Sequence, residues 1–209
     1  MFDDGYERVH HHVLPLMDRY SLPGVFAVPL AGERIETSEG WEVTSWQQWL
    51  KAAEYGHEIA AHSISHRNLT SLTDDELRQE LQQPAVMLKA TTLVYPGGAC
   101  DERVIQYARQ YYSAGRTVVR GLETIPPKDP MRLQSFNFSK RNFTVTKANL
   151  LAVWACVTNN WLIETYHMVD DEEREMVHST KARDVERHVA FVARLPIEVK
   201  TIRQVITGV

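Results

Sequence analysis

Three separated fragments carry side chains that could serve one reaction: Phe2-Asp3-Asp4-Gly5, His62-Ser63-Ile64-Ser65-His66 and Thr165-Tyr166-His167. Two adjacent carboxylates, two histidines four apart and a late single histidine suit metal-assisted hydrolysis. One carboxylate and two imidazoles can hold a divalent ion and leave a position open for water. The remaining carboxylate and histidine can then move protons. Each fragment also has a plainer reading. Asp-Asp-Gly is good turn chemistry, the histidine pair could lie on the surface, and a lone histidine after a strand is usually structural.

Context weighs on these choices. Residues four apart on one helical turn face the same way and can grip one metal. No glutamate follows His62, so this is not a zinc-protease helix. Gly56-His57-Glu58-Ile59 precedes the pair, and a tight turn with a short buried strand would aim His62 and His66 at one end of a sheet. His57 itself reads as structural. Tyr95-Pro96-Gly97-Gly98 would form a rigid loop with exposed N–H groups, able to stabilise an oxyanion or simply to turn the chain. His178 and His188 read as surface or helix residues. Cys100 could line a pocket near the loop, but a metal-activated water leaves a catalytic thiol without a task.

The elements that must position these groups alternate. Val9, Val13, Leu16 and Met17 form a helical stripe. Gly24–Val28 reads as a buried strand and Trp46–Tyr55 as a short helix with Trp46, Trp49, Leu50 and Ala53 on one face. Glu58–Ala61 is a strand ending at His62. Thr73-Asp74-Asp75-Glu76 is a capping box, Leu77 and Leu81 continue its inner face, and Pro84 should bend or end that helix. Thr92–Tyr95 is a strand, Glu102–Tyr111 a helix and Arg116–Val119 a strand. A proline-bearing loop spans Gly121–Pro130. Lys147–Cys156 reads as a helix and Trp161–Thr165 as a strand running into His167. Val185–Ala193 (helix), Ile197–Val199 (strand) and Ile202–Ile206 (helix) complete the chain. Alternation of this kind argues for a parallel sheet or a β/α barrel, and the chemical groups fall after strand C-termini, where barrel active sites lie.

The chain has 209 residues, 44% hydrophobic and 24% charged, as expected for one domain with a substantial core. A net charge of −4 gives no reason to expect nucleic acid as partner. There is no apolar run long enough for a transmembrane helix and no signal-peptide pattern, so a cytoplasmic location is expected. A removed leader would leave the same sequence. Cys100 and Cys156 make no disulfide framework.

With these residues in hand, the chain resembles the polysaccharide deacetylases, the family sharing the NodB-homology domain. The first family motif, Thr-Phe-Asp-Asp-Gly, is matched by Phe2–Gly5 with Met1 in place of threonine. The second, His-Ser/Thr-x-x-His, is matched by His62, Ser63 and His66, and the last by the apolar strand ending in His167. The resemblance implies a single catalytic domain over residues 1–209 with a distorted (β/α)7 barrel fold. It implies Asp4, His62 and His66 as metal ligands, Asp3 as base and His167 as the acid that protonates the leaving amine. Ser63 would brace the histidine loop, and the Gly97 N–H would contact the oxyanion.

Zinc is the first choice of metal, with cobalt or nickel also suitable. An N-acetylated sugar or polysaccharide is the implied substrate. The third family motif, Arg-Pro-Pro-Tyr-Gly, is altered: Val94 stands at the arginine position and Gly97 at the tyrosine position. Arg116 is the nearest candidate to orient the base instead. The fourth motif is not recognisable in residues 121–138. The strand that should lead into Asp3 is absent, so either the barrel lacks or opens at its first strand or the chain is a shortened form of a longer one. An open seam would be covered by Ile197–Val199, by another subunit in a homo-oligomer, or not at all. Two other readings stand beside the deacetylase: a hydrolase of non-sugar or cyclic amides, and a non-catalytic carbohydrate-binding remnant.

Overall fold

Short apolar runs alternate with amphipathic stripes, and the chain folds accordingly. The computed structural model describes residues 1–171 and 176–208. Its elements are α1 (Glu7–Arg19), β1 (Val25–Val28), α2 (Glu33–Glu39), α3 (Trp46–Ala52), β2 (Glu58–Ala61), α4 (Asp74–Met87), β3 (Thr92–Val94) and α5 (Glu102–Ala108). They continue with β4 (Ala114–Arg116), β5 (Phe136–Asn137), α6 (Val145–Thr158), β6 (Glu164–Thr165), β7 (Met168–Val169), β8 (Ser179–Thr180), α7 (Ala182–Val192) and α8 (Ile202–Thr207).

Strands β1-β2-β3-β4 form a parallel four-stranded sheet, and β5 pairs with β6 and β7 with β8, also parallel. Single bridges extend these sheets: Arg116 pairs with Leu133, and Phe2 pairs with both Phe26 and Tyr166. The fold is therefore α/β with parallel pairing. Among the described residues no helix is long and apolar enough to cross a membrane.

The strands bury both faces. On β1, Val25 and Ala27 face an inner cluster with Ala60, Val94, Ala114, Leu133, Ile163 and Ile202, while Phe26 and Val28 face the helices. This is the two-residue alternation of a strand covered on both sides. The outer layer contains an aromatic chain that fixes the segment around Phe2. Trp49 stacks on Phe26, Phe26 on Phe2, and Phe2 on Tyr166, with centroids 4.8, 5.5 and 5.4 Å apart. Such pairs contribute about 0.5–1.5 kcal/mol each beyond burial. Phe2 is thus held from both sides, immediately before Asp3 and Asp4.

Several expectations are corrected. The opening at the first strand is narrower than expected. Phe2 N–H donates to the Val25 carbonyl (2.8 Å), Asp3 N–H to the Tyr166 carbonyl (2.9 Å), and Tyr166 N–H to the Met1 carbonyl (3.0 Å), so Met1–Asp3 bridge β1 to the Tyr166 segment. Below that level lies a cavity of about 480 Å³, lined by Met1, Val25, Ile163, Ile197 and Val199 among others. Ile197–Val199 is irregular rather than a strand and forms part of this lining. It follows Pro196, which has no N–H to give a ladder.

Strand β4 ends at Arg116 instead of starting there. Gly115 packs where a Cβ would lie 2.5 Å from the Tyr95 hydroxyl, so the unpromising Ala-Gly pair is the buried stave. Val118 and Val119, for all their β-propensity, are exposed. Pro84 is accommodated within α4, which continues to Met87. On α3 the inward residue is Ala52, not Ala53. Helix α2 was not expected, because Ile35 is its one buried residue and makes no stripe.

Candidate active site

Backbone geometry at the two motifs is unusual and shared. Asp4 and Gly5 have φ of 71° and 68°, and Ser63 and His66 have 62° and 54°. Left-handed conformations at non-glycine residues cost energy and persist where the surroundings over-determine them. At the first motif, Trp49 Nε1 donates to the Gly5 carbonyl at 3.2 Å. At the second, Ser63 Oγ accepts the His66 N–H at 3.0 Å. Glu80 on α4 is buried and accepts the N–H groups of Ile64 (2.8 Å) and Ser65 (3.0 Å), together with the Ser65 hydroxyl. Sequence reasoning missed Glu80. Its only local signal is an acidic residue on the inner face of an amphipathic helix.

These turns bring Asp4, His62 and His66 together. Asp4 Oδ1 lies 3.2 Å from His62 Nε2 and 3.3 Å from His66 Nε2. Their candidate ligand atoms all lie within 4.8 Å of one another. The donor set fits a divalent cation for a specific reason. His62 Nδ1 is 2.8 Å from the Val94 carbonyl, which can only accept, so Nδ1 carries the proton. The Nε2 lone pair then points at Asp4 Oδ1, another acceptor, which is buried without a hydrogen-bond partner. Two lone pairs at that distance call for a cation between them. Donors bound to zinc at about 2.0–2.2 Å would stand at roughly this mutual spacing. The three residues therefore form a possible metal site. Burial opposes ionisation of Asp4, yet the imidazoles of His62 and His66 beside it hold its carboxyl well below the usual range. Burial pulls His66 down, but the Asp4 carboxylate holds it above the ordinary histidine value.

Asp3 points elsewhere. Its Oδ2 accepts a hydrogen bond from Arg116 Nη2 in a buried ion pair, and His167 Nε2 stands 3.7 Å from the same oxygen. Burial would raise the Asp3 pKa. The Arg116 guanidinium, helped by His167 and His62, keeps it below the usual value. Its Oδ1 is buried and has no partner. Asp3 thus carries one engaged and one free oxygen, as an ionised acid beside the cation site. Burial lowers the His167 pKa, outweighing the raising effect of Asp3 and Asp4. The His178 ring, exposed and 5.1 Å from that of His167, is a neighbour the sequence did not reveal.

The Tyr95–Gly98 loop divides. Pro96 and Gly97 line an open groove of about 780 Å³ with His66, Asn68, Ala99 and the α2 residues Arg34 and Glu39. Tyr95 instead is buried, its hydroxyl donating to the Met131 carbonyl at 3.0 Å. Gly98 is pressed against Val118. Cys100 is half-buried, and burial pushes its thiol up, away from thiolate chemistry. His57 is structural: Nδ1 accepts the Gly24 N–H at 2.9 Å, and Nε2 bonds Asp18 at 3.0 Å. His188 is no surface residue but is buried between Asn149 and Glu164.

The polysaccharide deacetylase family matches residues 1–114, more than half of the sequence. The chain belongs to the polysaccharide deacetylase family. Solved structures agree on the fold at low identity. The T48 deacetylase, solved with substrate, is 16% identical with a TM-score of 0.63, over 99% of this chain and 88% of that one. The Streptococcus pyogenes deacetylase PplD, in complex with acetate, is 18% identical with a TM-score of 0.55, over 64% of this chain. The match spans 60% of PplD. A pseudoenzyme of the CE4 family from Bacillus anthracis is 11% identical with a TM-score of 0.60, over 98% of this chain and 64% of that one. A mutant of that pseudoenzyme has restored activity. No curated protein matches the chain. Membership of the deacetylase family thus coexists with a fold that hosts both active and silent relatives.

Proposed function

We propose that this chain is a metal-dependent hydrolase that removes N-acetyl groups from an N-acetylated sugar or polysaccharide, on a distorted (β/α)7 barrel. The barrel reading is supported by the pairing that runs from β1 through β4, across Arg116–Leu133 and β5–β6, and back through Phe2. The functional reading is carried by one observation. Asp4, His62 and His66 converge as a cation site, and Asp3 lies beside them as an ionised acid with a free oxygen and a histidine 3.7 Å away.

When bound, a divalent cation at Asp4, His62 and His66 would supply Lewis-acid polarisation of the acetyl carbonyl, and zinc suits two imidazoles and a carboxylate. Asp3, kept ionised by Arg116, accepts a proton from the attacking water through Oδ1. Its neighbour His167 can carry a proton to the departing nitrogen, so that water and amide become acetate and amine. A depressed pKa makes protonated His167 a strong acid. The Gly97 N–H, in the groove wall with φ of 61°, is the candidate oxyanion donor. The open groove suits an extended polymer better than a small enclosed substrate.

The test is incubation of the chain and zinc with N-acetylchitooligosaccharides and, separately, with small cyclic amides, followed by mass spectrometry. Loss of acetyl from the sugar supports the proposal. Ring opening of the cyclic amide alone would reassign the substrate. Binding to the sugar without turnover would match the silent relatives.

A further inference from the structure

His178 has so far had no task, and its place follows from register. Strands β7 and β8 pair in parallel, with Met168 opposite Ser179 and Val169 opposite Thr180. One step back on each strand, His167 and His178 fall side by side. Residues opposite each other in a parallel pair put their side chains on the same face. The rings agree with that register: their centroids are 5.1 Å apart and their planes are tilted by 40°.

Backbone contacts fix the position. The Met168 N–H donates to the His178 carbonyl at 3.2 Å, and the Lys140 N–H to the Val177 carbonyl at 3.1 Å. The Ser179 hydroxyl donates to the Met176 carbonyl at 2.8 Å. His178 is thus anchored on both sides while its side chain stays exposed. Any ring would serve for packing on His167.

What meets the His178 ring follows from the chemistry of its neighbour. His167 Nε2 faces Asp3 Oδ2 at 3.7 Å, and only 17% of the His167 side chain is exposed. In the reaction proposed above, the departing nitrogen comes to His167, and the sugar ring is one bond behind it. A sugar ring is too broad to rest on that small opening alone and spreads over its rim, where His178 supplies an exposed ring. The groove wall at Pro96 and Gly97 follows β3 instead, and the Met1–Asp3 segment, β1 and β2 separate it from β6 and His167.

We infer that His178 contacts the substrate on the amine side of the site: its imidazole packs against the sugar that carries the departing nitrogen and hydrogen-bonds one of that sugar's hydroxyls. The inference rests on the deacetylase reading above and adds to it the flank that holds the unit being deacetylated. Imidazole suits both contacts, because it combines an apolar ring body with a donor and an acceptor nitrogen.

Two measurements on the full chain test this. The first is NMR of the imidazole signals, with the protein held metal-free so that N-acetylchitooligosaccharide is not turned over as it is added. His178 is assigned by the loss of its signal in His178→Ala, and its ring signals should shift with sugar. The second is turnover of the same sugar by the zinc-loaded wild type, His178→Ala and His178→Phe. His178→Ala should raise KM about 3–10-fold, as expected for one lost neutral hydrogen bond, with a smaller change in kcat. His178→Phe keeps a ring without the nitrogens and should fall between His178→Ala and wild type. The residue is exposed, so both variants should fold. Sugar binding that leaves the His178 signals unmoved, or an unchanged KM in His178→Ala, would overturn the inference and leave the deacetylase reading intact. A His178 shift without acetate release would support the contact and remove the deacetylase reading. A chain that neither binds the sugar nor releases acetate would overturn both.

Discussion

Asp3 and Arg116 stand 113 residues apart in the sequence and form one buried ion pair, with the guanidinium on Asp3 Oδ2. The guanidinium comes from the end of β4, the strand that follows the one carrying Val94 at the third-motif arginine position.

Removing Arg116 should therefore hurt both stability and turnover. Arg116→Met leaves Asp3 buried and unpaired, and breaking such a pair costs about 3–5 kcal/mol. The Asp3 pKa should rise, moving the acid limb of kcat/KM to higher pH. Arg116→Lys keeps the charge but not the fork and should recover only part of the loss. Urea denaturation and pH–rate profiles check both effects. An unchanged acid limb in Arg116→Met would separate Arg116 from the base.

Acid sensitivity follows from the two aspartates. Both have native pKa values below the ordinary 3.8. Between the native and ordinary values the unfolded chain binds protons that the native state refuses, so stability falls as pH drops. Their contribution is complete above about 3.8 and is lost below it. Metal-free protein unfolded in urea from pH 5 to pH 2 should lose stability steeply at the acid end, and Asp4→Asn should show a shallower slope. Equal slopes would contradict the assignment.

The two acids should separate by role. Asp4→Ala should abolish metal binding. Asp3→Asn should keep the metal and lose turnover, because an amide cannot take the water proton. His167→Ala should also spare the metal and slow turnover, most with poor leaving groups. Metal content and acetate release, measured on the same samples, distinguish these outcomes. Metal loss in Asp3→Asn with retention in Asp4→Ala would reverse them.

Glu80 should prove as important as its burial suggests. Glu80→Ala strands the N–H groups of Ile64 and Ser65, and each unsatisfied buried group costs about 1–3 kcal/mol. The melting temperature should fall, and zinc affinity should fall with it because the histidine loop loses its anchor. A variant that melts lower yet binds zinc as before would make Glu80 a stability residue alone.

What could be read from the sequence was what local spacing encodes. His62 and His66 are four apart, Asp3 and Asp4 adjacent, and His167 ends an apolar run; each pattern is complete within a few residues. The capping box at Thr73 and Glu76 formed for the same reason. Arg116 could be suggested, but its strand was set two residues late, because β-propensity favours Val118 and Val119 while tertiary packing selects Ala114 and Gly115. Glu80 was hidden because its partners lie in the histidine loop, outside its own helix, and no period marks it. Tyr95 was expected in the loop that faces substrate, and the space above Gly115 drew it into the core.

The most direct test of the account is zinc titrated into metal-free protein, with bound ion and acetate released from N-acetylchitooligosaccharide followed together in wild type and Asp3→Asn. The account predicts one ion per chain in both, with acetate release rising in step with occupancy in wild type and absent in Asp3→Asn. Acetate release that persists in chelator, or that survives Asp3→Asn, would contradict it.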